Sequence, residues 1–348
     1  MNFFTYVDCF SAHNHIQSLC VYDGGGYASP DVSIVIPTFR RPALLEHALL
    51  SALNQECAEN YEVIVVDNDG EAQDKETWDI IQKHKHPRLR YFRNSENLGM
   101  FGNWNRGLLL ARGHWVTILH DDDVLAPDFL RTMRRHYLAG DASRRLLSCE
   151  ISILDERSSL PQTMSFLGLL RTKLTRYAEG KLKERVLDDY FYGYPHSGTL
   201  GIVFHRESAI SLGGFNHRDY PSADYFFFTK YVERYGSAHL VSCLGTYRIA
   251  KNESLRDEVM VAWIKQGYEF RCVMSERHYP RSRWRRFLCK VITISQAYQV
   301  RKAWGGRYDV PLLLRSINSS LGMVNPIIAA FYGILSRIRM AFFYIRQN

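Results

Sequence analysis

A chain of 348 residues, 46% hydrophobic and 23% charged, has room for one large α/β domain plus an appended segment, and its composition is that of a folded protein. The formal net charge of +8 is unevenly held: from Arg281 to Asn348 twelve basic residues face one acid, Asp309, a local +11 that leaves residues 1–280 at −3. Seven scattered cysteines, odd in number and without a Cys-x-x-Cys pair, argue against a disulfide framework or a zinc site and fit free thiols in a reducing cytosol.

In chain order, the first thirty residues carry no basic residue ahead of their apolar positions, and His13, Asn14 and Gln17 interrupt these, so no secretory signal is expected. Gly24-Gly25-Gly26 before Ser29-Pro30 marks a flexible lead-in to the first strand. Val32 to Ile36 is a β-branched run stopped by Pro37-Thr38, followed by an amphipathic stretch from Leu44 to Leu53. Tyr61 to Val66 repeats the pattern, ending in Asp67-Asn68-Asp69-Gly70 ahead of a polar helical stretch from Glu71 to His84. Leu89 to Phe92 is a third strand, followed by Asn94, Asn97 and Gly99. Strands alternating with helical segments of about 10–15 residues predict βαβ units and a mainly parallel sheet.

The run Trp115-Val116-Thr117-Ile118-Leu119 reads as a buried strand that ends in His120 and three carboxylates, Asp121, Asp122 and Asp123. Side by side, these acids repel one another unless a cation neutralises them. Hard divalent ions such as Mg²⁺ or Mn²⁺ bind both carboxylate and phosphate oxygens. The plain alternative is a solvated acidic turn ahead of Leu125-Ala126-Pro127. In open α/β sheets ligands bind beyond the carboxyl ends of the strands. Three strand ends carrying Pro37-Thr38, Asp67-Asn68-Asp69 and Asp121-Asp122-Asp123 on one edge would suit a nucleotide.

Val32-Ser33-Ile34-Val35-Ile36-Pro37-Thr38-Phe39, Val63 to Asn68, Asn97-Leu98-Gly99 with Asn103-Trp104-Asn105, and Leu119 to Asp123 fall in an order and spacing that resembles family 2 glycosyltransferases, inverting enzymes of the GT-A fold. The resemblance is strong from Val32 to Pro127 and extends to about Ser254. It implies a Rossmann-like, mixed, mainly parallel sheet flanked by helices, and a site for a nucleotide sugar. Asp122 would be the principal metal ligand with Asp123 supporting, and Asp121 would lie nearer the ribose or sugar. Pro37, Thr38 and Phe39 would hold the uracil or ribose face, with Arg41 nearby. Asp67 would accept a hydrogen bond from the pyrimidine N3–H, as an ionised acceptor-only side chain can; as a residue alone, it also suits the turn Asp67-Asn68-Asp69-Gly70. Asn68, Asn97, Gly99, Asn103 and Asn105 would line the nucleotide cleft. Two departures stand out. His120 occupies a position where the family often has Asp, leaving it to coordinate weakly, contact the nucleotide or merely pack. Trp104 stands where an Arg is commoner, with Arg106 close by.

Farther along, Gly213-Gly214-Phe215-Asn216 followed by Ser222-Ala223-Asp224-Tyr225 resembles the stretch that holds the catalytic base, which makes Asp224 the candidate. Without the resemblance Asp224 reads as an acid at the N-terminus of a helix from Tyr225 to Tyr235. Asp188 and Asp189 are alternatives beside Tyr190-Phe191-Tyr192-Gly193-Tyr194, aromatics that suit either sugar stacking or a core. Tyr247-Arg248 with Asn252 and Ser254 resembles a closing segment that folds over the donor diphosphate, where Arg248 or Lys251 would meet its charge or else stand as solvated surface charges.

Three regions are expected: an N-terminal extension over 1–30, a GT-A domain over 31–255, and a basic helical region over 256–348. The last mixes arginines with Pro326 to Leu335 and Met340 to Ile345, apolar stretches too short for a membrane span. Such a helix suits an anionic membrane surface, touching it through Phe331, Phe342 and Phe343; a basic helix packed on the domain is the plain alternative. The expected function is therefore metal-dependent (Mn²⁺ or Mg²⁺) inverting transfer of a hexose or N-acetylhexosamine from a UDP-sugar to a saccharide or lipid-linked oligosaccharide acceptor. The place would be the cytoplasmic face of the inner membrane, in surface polysaccharide synthesis. No nucleic-acid motif accompanies the basic patch. The rival readings are a catalytically silent nucleotide-sugar-binding protein and a sugar-nucleotide pyrophosphorylase, whose Gly-rich, Arg-containing N-terminal loop is missing.

Overall fold

The computed structural model describes residues 3–57, 60–70, 75–137, 145–157, 166–250 and 252–323, with residues 327, 330, 331, 333–335, 338 and 343 beyond them. In chain order the elements are β1 (Ser18–Asp23), β2 (Val32–Thr38), α1 (Pro42–Leu53), β3 (Tyr61–Asp67), α2 (Lys75–Lys83), β4 (Leu89–Asn94), α3 (Gly99–Leu110), β5 (Trp115–Ile118) and β6 (Val124–Leu125). There follow α4 (Phe129–Tyr137), β7 (Leu146–Asp155), α5 (Phe166–Tyr177), β8 (Leu182–Glu184), α6 (Leu187–Tyr192), β9 (Ile202–His205), α7 (Arg206–Ser211), α8 (Ala223–Tyr235) and β10 (Ala238–Ile249). Three helices close the chain: α9 (Asp257–His278), α10 (Arg283–Trp304) and α11 (Val310–Ile317).

The strands form one sheet in the order β1-β4-β3-β2-β5-β9-β7-β10-β6, with β8 also on β10. β4, β3, β2 and β5 run parallel, as the βαβ pattern predicts, and β7 is parallel to β10. β9 enters antiparallel between β5 and β7. All seven residues of β2 and of β3 are buried, because helices cover both faces of the sheet. Side chains alternate between the two cores. Ile34, Ile36, Val63 and Val65 pack with α1 and α4 on one side. Val35, Ile64 and Val66 pack with α3 and α8 on the other. Pro37 is tolerated in a central strand because β5 pairs with β2 only as far as Val35.

Two segments that the sequence sets apart contribute to this body. β1 pairs antiparallel with β4, and Phe3 lies between Phe226 of α8 and Phe270 of α9, at ring distances of 4.5 and 5.3 Å. Phe270 and Met274 of α9 and Leu288 and Ile292 of α10 enter the same core as α8. Phe343, expected at a lipid surface, is instead buried against Ala178 and Val241, with the Arg185 guanidinium 4.2 Å from its ring centroid. An aromatic ring that meets an apolar patch and a cation loses its reason to seek lipid. Phe342 and most of the stretch from 324 onward lie outside the described residues, and among the described residues no helix is long and apolar enough to cross a membrane.

Candidate active site

The ends of β2, β3 and β5 meet at one edge of the sheet, where parallel pairing sets Thr38 beside Asp67. The acids after β5 fan out there, each toward different partners. Asp121 accepts from Thr38 Oγ1 at 2.9 Å and lies 3.5 Å from Arg41 Nη1. Its burial raises the carboxyl to about 6, with Arg41 and Thr38 opposing and Asp122 adding to the rise. Asp122 lies 3.4 Å from Arg41 Nη1 and accepts from Asn252 Nδ2 at 3.3 Å. Asp123 is fully buried, with Oδ1 accepting from the backbone N–H of Arg248 at 3.1 Å. Its Oδ2 has no hydrogen bond and sits 3.6 Å from His120 Nδ1.

This arrangement passes a simple test for a divalent cation. His120, Asp122 and Asp123 each offer a ligand atom, all within 4.8 Å of one another. A buried carboxylate oxygen without a hydrogen bond is costly unless something completes it, and an oxygen-rich donor set suits Mg²⁺ or Mn²⁺. Asp121 stands outside that trio. Burial alone would lower the His120 pKa, but the neighbouring charges of Asp123, Asp122 and Asp121 outweigh it and raise it.

On the nucleotide side, the Asp67 carboxylate is buried. It accepts from Tyr91 Oη at 2.7 Å and from the Asp69 backbone N–H at 3.0 Å, a turn of the kind its sequence suggests. Desolvation raises its pKa against the pull of those two bonds and Arg93. Arg40, the described non-glycine residue with positive φ (54°), pairs with Asp69 at 2.9 Å and covers the face of half-exposed Phe39. Asn68 donates to Asn97 Oδ1 at 2.8 Å and accepts from the Leu98 backbone N–H and from Asn94. Asn94 also donates to Asn103, whose own amide donates to the Val66 carbonyl, and Gly99 N–H closes on Asn97. These amides are brought together as a network that fixes the loops after β3 and β4. Arg106 turns away: its guanidinium donates to the carbonyls of His13 and Ile16, tying down the N-terminal segment.

Across the cleft, α3 and the loop before α8 are clamped by Asn105, which both donates to and accepts from the Phe215 backbone at 2.8 Å. The clamp needs a glycine beside it, because Gly214 has φ +76° and a Cβ there would meet Asn105 Oδ1 at 2.5 Å. Asp224 sits half-buried in the first turn of α8, and desolvation raises its carboxyl to about 6, opposed by the Tyr225 backbone, His120 and Tyr194. Burial raises the Tyr247 hydroxyl's pKa against a bond to Ser254, and the charges of Asp123, Asp122 and Asp224 all add to the rise.

The alternatives to Asp224 are otherwise engaged. Asp188 forms a 2.6 Å ion pair with Arg285, and Asp189 accepts from the Val186 N–H at the start of α6. Tyr190 and Phe191 are core residues, and the Tyr225 hydroxyl donates to the Tyr190 carbonyl. The Arg248 guanidinium reaches Glu156 at 3.5 Å, while its backbone N–H supports Asp123. Lys251 lies outside the described residues. Asn252, expected in the closing segment, reaches Asp122. Thr199 completes the site without any signal in the sequence: it lies about 80 residues from His120, a separation no local pattern reveals.

The structure resembles S. aureus TarS 1-349 in complex with UDP-GlcNAc over 88% of this chain and 89% of that one, with a TM-score of 0.56 at 12% identity. It also resembles the mannosyltransferase PcManGT from Pyrobaculum calidifontis in complex with GDP-Man and Mn²⁺, over 92% and 87%, with a TM-score of 0.51 at 18% identity. With the largely parallel sheet, these likenesses define a fold of the GT-A type. Residues 33–182 match the model of Glycosyl transferase family 2. Among its relatives is the GalNAc(5)-diNAcBac-PP-undecaprenol beta-1,3-glucosyltransferase of Campylobacter jejuni, 29% identical over 65% of this chain and 67% of that protein. The abequosyltransferase RfbV of Salmonella typhimurium is 33% identical over 30% of this chain and 32% of its own length. The succinoglycan biosynthesis protein ExoO of Rhizobium meliloti is 33% identical over 37% and 36%. The chain thus spans about two thirds of the Campylobacter relative and about a third of the other two.

Proposed function

We propose that this glycosyltransferase moves a hexose or N-acetylhexosamine from a UDP-sugar to a saccharide acceptor, with inversion at the anomeric carbon and with a divalent cation bound. The observation that carries the reading is the group of His120, Asp122 and Asp123 after β5, whose ligand atoms lie within 4.8 Å of one another, in a chain matched by a glycosyltransferase family model. Asp122 and Asp123 would hold the cation, whose contribution when bound is to neutralise charge on the leaving diphosphate. Arg41, already within 3.5 Å of Asp121 and Asp122, would stand at the same phosphates. Phe39 offers an exposed ring beside the end of β2 for the nucleobase or ribose. Asp224 removes the proton from the acceptor hydroxyl as its oxygen bonds to the anomeric carbon, and the nucleoside diphosphate departs from the opposite face. A carboxyl raised to about 6 remains ionised at neutral pH and is more basic than an ordinary Asp.

A role in surface polysaccharide synthesis, with a lipid-linked acceptor at the cytoplasmic face of the inner membrane, is supported by the undecaprenol-linked substrate in the name of the Campylobacter relative. It is also supported by the basic C-terminal region, whose Arg281, Arg283, Trp284 and Arg286 are exposed at the start of α10. The deciding experiment is proton NMR of the transfer product. The anomeric configuration opposite to the donor's is expected, and retention would overturn direct displacement. Donor binding without transfer or hydrolysis, over a panel of saccharide acceptors, would make the chain a nucleotide-sugar binder.

A further inference from the structure

We propose that His120 is a metal ligand through Nδ1, held in the one tautomer that permits it by Thr199, so that the cation centre of this chain has a nitrogen donor beside its carboxylates. The proposal rests on the metal-dependent reading above and names a ligand beyond it.

The argument begins with a single proton. Thr199 Oγ1 lies 3.0 Å from the Ile118 carbonyl, which can only accept, and 3.1 Å from His120 Nε2. A hydroxyl has one proton to give. Given to the carbonyl, it leaves Thr199 to accept, so Nε2 must carry hydrogen and donate. Given to Nε2 instead, it would leave two oxygens facing each other at 3.0 Å with nothing between them. With hydrogen fixed on Nε2, Nδ1 is the nitrogen that takes either a second proton or a metal. That nitrogen points at Asp123 Oδ2, the buried oxygen without a hydrogen bond, 3.6 Å away. Two electron-rich atoms directed at each other invite a cation between or beside them, and the Asp122 carboxylate lies within the same 4.8 Å.

The ring is also fixed in place. Trp104 stacks on it with centroids 5.1 Å apart and an interplanar angle of 27°. Gly198, at φ +62°, lets the preceding loop close on its edge, since a Cβ there would stand 3.0 Å from His120 Cε1. A partner on the remote nitrogen, an aromatic wall and a carboxylate opposite the free nitrogen are the surroundings that orient a ligating histidine. Imidazole suits Co²⁺ and Zn²⁺ better than Mg²⁺, so this donor should tilt metal preference away from magnesium.

The test is spectroscopic and independent of turnover. Mn²⁺ added to the full chain with UDP or GDP, without a histidine tag, is examined by electron spin-echo envelope modulation for coupling to a directly bonded nitrogen. Wild type should show the ¹⁴N coupling, and His120→Asp should bind Mn²⁺ without it. The ratio of Co²⁺ to Mg²⁺ affinity should fall in that variant. Thr199→Val, which removes the acceptor for Nε2–H, should weaken Mn²⁺ binding by about 10-fold or more while metal-free nucleotide affinity holds. Mn²⁺ bound to wild type without nitrogen coupling overturns the proposal and leaves the metal-dependent reading standing. No Mn²⁺ binding with either nucleotide overturns both.

Discussion

Asp224 makes the most direct prediction among single residues. A general base must be ionised, and burial raises this carboxyl to about 6. The profile of kcat/KM should therefore rise with pH through about 6, and that limb should disappear in Asp224→Asn. Transfer should fall at least ~10²-fold in the variant while donor binding survives; unchanged transfer would move the base elsewhere. Asp122→Ala should abolish the metal-dependent part of UDP binding, read by calorimetry with and without EDTA. Asp121 tests the electrostatics from another side. Its folded-state carboxyl is held near 6, above the unfolded value near 3.8, so the native state keeps a proton that the unfolded chain has already lost. The stability this confers is present at low pH and lost as pH rises from about 4 to 6. Asp121→Asn, which stays neutral, should gain on wild type over that window by up to about 3 kcal/mol in urea titrations. These acids are legible in the sequence because they are contiguous, and Asp224 because its surroundings resemble a known stretch. Thr199 is not, since it serves the site through a contact closed only by the tertiary fold.

At the scale of elements, legibility follows burial. β2, β3 and β5 stand out as apolar runs because they lie under helices on both faces. β1 is half exposed without regular alternation and β6 is two residues long, so neither has a pattern to read. The antiparallel insertion of β9 between β5 and β7 depends on long-range pairing alone. The asparagine-rich loops were read as nucleotide contacts from their position, whereas the structure ties their amides to one another and to the backbone. The Asn105 clamp is the element-level device with the sharpest consequence. Asn105→Ala would leave the buried N–H and C=O of Phe215 unsatisfied, at about 1–3 kcal/mol for each group. Denaturant midpoints should fall accordingly, and transfer should suffer more than donor binding, because the clamp holds the approach to Asp224 and not the nucleotide loops.

The whole molecule is held together by a core that ignores the boundaries suggested by its sequence. Truncation after residue 255 should give an aggregating, poorly folded product, because Phe226 and its neighbours would lose Phe270, Met274, Leu288 and Ile292. The +11 region should bind vesicles containing anionic lipid and release them as salt rises, at about 1 kcal/mol per basic residue near the surface. Equal sedimentation with neutral and anionic vesicles would reduce it to a packed appendage. The aromatic contact among Phe3, Phe226 and Phe270 also orders events in time. A chain emerging from the ribosome presents Phe226 of α8 before its partner Phe270 of α9 exists. The acid cluster likewise waits for Arg248 and Asn252, which support Asp123 and Asp122 from the far end of the sheet. The nascent protein would thus carry open aromatic surface and an unfinished site through most of its synthesis, and competence would arrive only with translation of the C-terminal helices.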